Sequence, residues 1–258
     1  MVQVEANLEK QKLVLLRTLI AVTITGLGFG FIMAFVSNWF VLGVQWLSGL
    51  RASTSFLVFH VGDLPLAFGP LLRLLIAACA ILVVRRLFGI IRWHGPADSI
   101  YAAHRTDNEL DVKHGFGSTL AAFISASGGA SVGQYGPLVH FGATMGSFIR
   151  HITGSRITTD VFIGCGVAGA IAAGFNAPIA GVVFAHEAIL RHFSLRAIAP
   201  IAIASITASW VSKWVFGANP LFTIVDLQPN LIELLPAALI AGPAFGLLAV
   251  LFMQSLRR

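Results

Sequence analysis

Apolar residues fill this chain in runs that are long at both ends and broken in the middle. The first run, from about Leu13 to Leu50, exceeds the roughly 20 residues that one perpendicular bilayer crossing needs. It reads either as one long tilted helix or as a span continuing into an interfacial segment with Trp39 and Trp46. A polar turn over 51–63 leads to a second span at about Leu64 to Leu87. The stretch Arg92–Gly115 is the most polar of all, with Asp98, Arg105, Asp107, Glu109, Asp111 and Lys113. Four shorter apolar pieces follow, at about 116–128, 137–152, 160–174 and 178–192, and two longer spans near 194–218 and 231–254 close the chain. Short helices interrupted by Gly or Pro are the best sequence pointer to a binding site at membrane depth.

Composition agrees with that pattern. Hydrophobic residues make up 57% and charged residues 11%, and mean hydropathy is +0.84. A soluble domain carries about 25% charged residues, so the pattern predicts an all-α polytopic membrane protein. Residues 1–12 read as a cytoplasmic N-terminal segment without the basic start and short apolar core of a signal peptide, and 13–258 as the transmembrane domain. The net charge of +6 gathers at segment ends (Lys10, Lys12, Arg17, then Arg85, Arg86, Arg92), which reads as a topology signal and not a nucleic-acid patch. Cys79 and Cys165 lie in apolar runs and are expected to be packing residues.

Three places share one grammar, a small or polar turn followed by Pro at a helix start. They are His94-Gly95-Pro96, Gly133-Gln134-Tyr135-Gly136-Pro137 and Phe175-Asn176-Ala177-Pro178. Pro suits the first turn, where its missing N–H would be unpaired anyway. Converging helix N-termini aim free N–H groups and positive dipole ends at one place, and an anion is the natural occupant. The rival account is that the breaks are kinks for close helix packing, which the small-residue runs Gly164–Gly174 and Ala177–Gly181 also suit.

These residues carry a resemblance. GlyGlnTyrGlyPro at 133–137, with AGAIAAGFNAPIAGVVFAHE at 168–187, resembles the CLC family of chloride channels and chloride/proton exchangers. The first segment matches that family's GREGP pattern and the second its AAxFNAPLAGxxFxxEE pattern, while His94-Gly95-Pro96 sits where the family has GSGIP, with His94 over the chloride-coordinating Ser. The resemblance runs from about residue 13 to the end and implies a CLC-type half with broken and tilted helices, lettered B to J in the family. The family's later GxFxP motif and pore-lining Tyr have no counterpart in these residues. The implied setting is a bacterial inner or plasma membrane, with the N-terminus cytoplasmic, chloride or a similar small anion as cargo, no cofactor or metal, and a homodimer as the assembly.

Two departures stand out against the family pattern. The gating Glu of GREGP is Tyr135 and its Arg is Gln134. A phenol, with an ordinary pKa of about 10, stays neutral at physiological pH and cannot mimic an anion. The resemblance places Glu187 on the first Glu of FxxEE and Ala188 on the second, the proton-transfer position. Loss of both carboxylates implies a channel-like path. His140, His186 and Glu187 are further ionisable candidates, each with a packing role as its alternative. Three functions therefore compete: anion conduction, an exchanger taking protons through His94 or His186, and a non-conducting half-subunit with an assembly role. No nucleophile–base pair, metal-ligand spacing or phosphate loop points to an enzyme.

Overall fold

The first apolar run becomes one uninterrupted helix, α1 (Val2–Gly49), so the long-helix reading is the one realised. Its 48 residues rise about 70 Å at 1.5 Å each, well over the ~30 Å of a hydrocarbon core. The structure is a computed structural model that describes residues 2–49, 58–61, 64–105, 110–153, 157–217 and 231–256. Of the expected turn, 51–57 and 62–63 lie outside the described residues, as do Asp107 and Glu109. Val58–Val61 (β1) and Leu64–Ala67 (β2) pair antiparallel, Val58 opposite Ala67 and Val61 opposite Leu64. This hairpin is a small exception to an otherwise helical chain, and it takes the first residues of the expected second span. The helix there, α2 (Gly69–Phe88), begins only with Pro70 in its first turn. A proline suits that first turn, where its missing N–H would have no acceptor within the helix anyway.

The interrupted middle gives α3 (Pro96–His104), α4 (Val112–Gly128), α5 (Tyr135–Thr153), α6 (Thr159–Phe175) and α7 (Pro178–Phe184). The chain runs from α7 into a π turn (Ala185–Leu190) and then into α8 (Leu195–Phe216). Met1–Leu221 form one compact unit and Phe222–Arg258 a second. The second unit contains α9 (Leu231–Leu256), an apolar helix with internal Pro236 and Pro243.

The first unit is built around α6. Twelve of its residues, from Val161 to Ala173, are buried, and α5, α8, α1 and α7 all pack on it. Small residues allow this enclosure. A methyl group on Gly142 of α5 would collide with the Gly166 carbonyl, and one on Gly146 with the Phe162 carbonyl. The packing account of these runs is therefore correct for the α5–α6 face. On the other side, Gly26 and Gly30 of α1 lie against Ile203 and Thr207 of α8. Asn38 then ties the pair, its Nδ2 donating to Ser212 Oγ at 2.8 Å.

The surface is the inverse of a soluble protein's. Leu16, Ile20, Ile24, Trp39, Trp46, Trp210 and Trp214 are exposed, while Ser99, Thr144, His140, His186, Ser205 and Ser212 are buried. That distribution suits a lipid exterior, where polar groups must find partners inside the protein. Three described helices are long and apolar enough to cross a membrane: Glu9–Gly49, Arg196–Phe216 and Leu235–Ser255. Cys165 is fully buried as expected, but Cys79 is exposed on α2 and is not a packing residue.

Gly142→Ala should cost about 1–3 kcal/mol by overpacking, read as a lower unfolding midpoint in detergent. Gly28→Ala, where nothing lies within 4 Å of the added carbon, should leave the midpoint unchanged. Equal midpoints for the two variants would contradict this view of the α5–α6 contact.

Candidate anion site at the helix starts

The Gly-rich break begins where α4 ends. Gly129 takes a left-handed conformation (φ 102) and donates its N–H to Ala126 O, and Ala130 N–H donates to Ser125 O. Helix α5 then opens at Tyr135, two residues before the Pro137 expected to start it. The proline is tolerated because amides of the first turn have no acceptor within the helix. Tyr135 and Gly136 thus belong to the helix, with Gly133 exposed and Gln134, Gly136 and Pro137 half-buried. His140 falls in the second turn, not the first.

Tyr135 is held by the end of α6. Its ring lies 4.0 Å from that of Phe175, inclined by 33°. Gly174 makes room for it, since a Cβ there would sit 2.7 Å from Tyr135 Cε1. The start of α3 comes to the same place: a methyl group on Gly136 would touch Pro96 Cγ at 3.8 Å. Thus His94-Gly95-Pro96, Tyr135-Gly136-Pro137 and Phe175 share one neighbourhood.

The leading amides of α3 already have partners. His94 N–H donates to Ser118 Oγ at 2.9 Å and Gly95 N–H to Asp98 Oδ2 at 2.8 Å. The Asp98 N–H returns the bond to Gly95 O at 3.0 Å, so the carboxylate caps its own helix and sits at the positive dipole end. Arg92 pairs with the other oxygen of Asp98. Burial works to raise the pKa of Asp98. The Gly95 amide, Arg92 and His94 outweigh it and hold the carboxyl below its ordinary 3.8. The α3 start therefore contributes an imidazole more than free amides: His94 is half-buried, and its Nδ1 has no partner among the described residues.

The third motif divides. Phe175 faces Tyr135, but the residues after it clasp α8. Asn176 adopts the left-handed conformation (φ 53), and its Oδ1 accepts from Ser209 Oγ at 2.6 Å. Pro178 O accepts from Ser205 Oγ at 2.6 Å, and Ala177 O from the Gly181 amide at 3.0 Å. Asn176, Ala177 and Pro178 thus fix the α6–α7 bend, which in turn fixes Phe175. Glu187 and Ala188 lie in the π turn, Glu187 exposed and Ala188 half-buried. Their neighbour His186 is fully buried, stacked on Phe193, with Nδ1 3.1 Å from His192 O.

Several contributors have no motif of their own. Ser118 and Ser99 hold His94 and His140 through side-chain oxygens, and Gly174 shapes the seat of Tyr135. Asp98 was the readable one, because an acid three residues after a turn glycine is a helix-start signal.

Comparison with known proteins follows the same lines. The family model for voltage gated chloride channels matches residues 74–258. The chain is 30% identical over 237 residues to the H(+)/Cl(-) exchange transporter ClcA of Vibrio parahaemolyticus, covering 86% of this chain and 49% of that one. It is 27% identical over 153 residues to the voltage-gated ClC-type chloride channel ClcB of Escherichia coli, covering 59% of this chain and 36% of that one. A crystal structure of a CLC-type fluoride/proton antiporter superposes with TM-score 0.66 at 22% identity, covering 89% of this chain and 55% of that one. The chain thus spans about half the length, or less, of the relatives it matches.

The low pKa of Asp98 carries a sign. Its stabilising contribution is complete above the unfolded carboxyl value and disappears as pH falls through the folded one. Arg92 is 71% exposed, so screening leaves the cap as the main contribution. Asp98→Asn should therefore lower stability by about 1 kcal/mol at neutral pH, and the deficit should shrink below about pH 4. A deficit that stays constant from neutral to acid pH in detergent unfolding would contradict the assignment.

Proposed function

We propose, for a chain that belongs to the voltage-gated chloride channel family, that the meeting of the α3 and α5 starts holds a small anion on its way across the membrane. The observation that carries this reading is Tyr135 at the first turn of α5, seated between Phe175 and the Gly136–Pro96 contact. The unshared amides at the start of α5 supply donors, the dipole of the helix supplies positive potential, and the Tyr135 hydroxyl adds a neutral donor. The resemblance lays His94 on the hydroxyl that the family places at the α3 start, and its Nδ1 has no partner among the described residues.

Chloride is the cargo the relatives' names favour, since one is an H(+)/Cl(-) exchange transporter and another a chloride channel. The mode proposed is a channel-like path. This reading rests on the resemblance, which lays Tyr135 on the family's gating Glu and Ala188 on its proton-transfer Glu and so would leave neither position a carboxylate. The protein would lie in the bacterial inner membrane with its N-terminus cytoplasmic, because Lys10, Lys12 and Arg17 gather at the start of the first span and Arg85, Arg86 and Arg92 at the end of the second. A homodimer follows the family's habit.

A second reading rests on the share of the relatives that is matched, 49% of the exchange transporter ClcA: residues that cover half of such a subunit would serve assembly and conduct nothing alone. Vesicles loaded with chloride and carrying the purified chain separate the two: efflux supports the path, and its absence supports the assembly role.

Substituting Tyr135 tests the site itself. Tyr135→Glu should make chloride efflux pH-dependent, rising as pH falls and the new carboxylate is neutralised. Tyr135→Ala should conserve or raise efflux, because it removes an obstruction and one donor while the α5 amides remain. Gly174→Ala, which pushes on the ring, should change efflux in a chain that remains folded. Identical pH profiles for Tyr135→Glu and the parent would remove Tyr135 from the path.

A further inference from the structure

Three imidazoles stand in file at the foot of α3. His114, in the first turn of α4, is the outermost, with its side chain 29% exposed. Its Nδ1 faces a carboxylate oxygen of Asp111, and its Nε2 lies 3.3 Å from Gly89 O. Both partners are acceptors, so a ring with a proton on each nitrogen satisfies both and a neutral ring only one. The His94 ring comes next, 5.5 Å from His114 between centroids, with Nδ1 buried and unpartnered among the described residues. His140 ends the file, 6.2 Å from His94 and 1% exposed. Its Nδ1 lies 2.9 Å from Ser99 Oγ, and its Nε2 is buried without a partner among the described residues.

The charges around the file sit in pairs. Asp98 is engaged by Arg92 and by the Gly95 amide, and Asp111 by His114. His94 lies close enough to both carboxyls to help hold each below its ordinary pKa, although burial works in the opposite direction. From α2, Arg85 donates its Nε to Ile90 O, one residue from the Gly89 carbonyl that meets His114. At the far end of α3, His104 is bonded to Ile100 O. The charged and titratable groups around His94 are therefore Asp98 with its partner Arg92, Asp111, His114 and His140. His94 Nδ1 and His140 Nε2 are thus each open to a proton or to a bridging water.

From this geometry we infer that Asp111, His114, His94 and His140 form a proton-conducting file leading from the protein surface to the second turn of α5. A proton taken up at the Asp111–His114 pair passes to the bare nitrogen of His94, and from the opposite nitrogen of His94 to His140. Each hop forms one N–H bond and breaks another, and no electrons are exchanged. Ring rotation or one bridging water closes the gaps between rings. Ser99 keeps His140 oriented through its hydroxyl. The file ends one turn beyond Tyr135, so its use in transport rests on the anion reading above, while its capacity to move protons does not.

Ring N–H exchange with water tests the file directly, in the full chain labelled with 15N-histidine and held in micelles. His140 should exchange quickly despite its burial. His114→Gln and His94→Gln should each slow it at least about tenfold, while the ring of His186, equally buried elsewhere, should keep its rate. Equal His140 rates in the parent and both variants would overturn the file, and so would a change shared equally by His186. Chloride efflux is measured separately on the parent in vesicles. A missing efflux therefore counts against the anion path, and a missing difference in exchange counts against the file.

Discussion

A backbone amide in the hydrocarbon of a bilayer has no water to bond with, and each one left unpaired costs several kcal/mol. Every break in a membrane helix must therefore lie inside protein or against a polar occupant. This chain makes its breaks around α6, of which twelve residues between Val161 and Ala173 are buried. The helix that could not itself face lipid and cross it becomes the post on which interrupted helices are stacked. Glycines at 142, 146 and 166 let the α5 and α6 backbones touch, and Gly164 makes room for Ile201 of α8.

From that arrangement the candidate site follows. Because α5 is pressed to α6, its first turn lies beside the last turn of α6, and Tyr135 meets Phe175. Because Asn176 and Pro178 are tied to Ser209 and Ser205 of α8, the position of Phe175 does not depend on loop conformation. The two helix starts are not equivalent. The α3 start spends its leading amides on Ser118 and Asp98, while its imidazole, His94, keeps Nδ1 without a partner among the described residues.

Much of this was legible in the residues. Long apolar runs gave α1, α8 and α9, and the Gly and Asn-Ala-Pro breaks gave the short helices between them, because lipid leaves few alternatives to a helix. The hairpin at 58–67 was not legible: its LeuProLeuAla segment is as apolar as a span, and Pro65 and Pro70 carried the only sign of it. The motif residues were located but not sorted. Sequence treats the Phe175–Pro178 motif as one unit, whereas its first residue faces Tyr135 and the rest grip α8. That division depends on Ser205 and Ser209, which lie far away in sequence and resemble any other membrane serine. The exposed Cys79 escaped for a similar reason, since an apolar run does not tell which face meets lipid.

Bromide offers the most direct test of the central claim that the opening turn of α5, beside Pro96 and Phe175, holds a negative ion. Crystals of the full chain grown with bromide should show an anomalous peak within hydrogen-bonding distance of the amides of Gln134–Gly136. Anomalous density confined to the protein's outer surface, with none at that turn, would contradict the account.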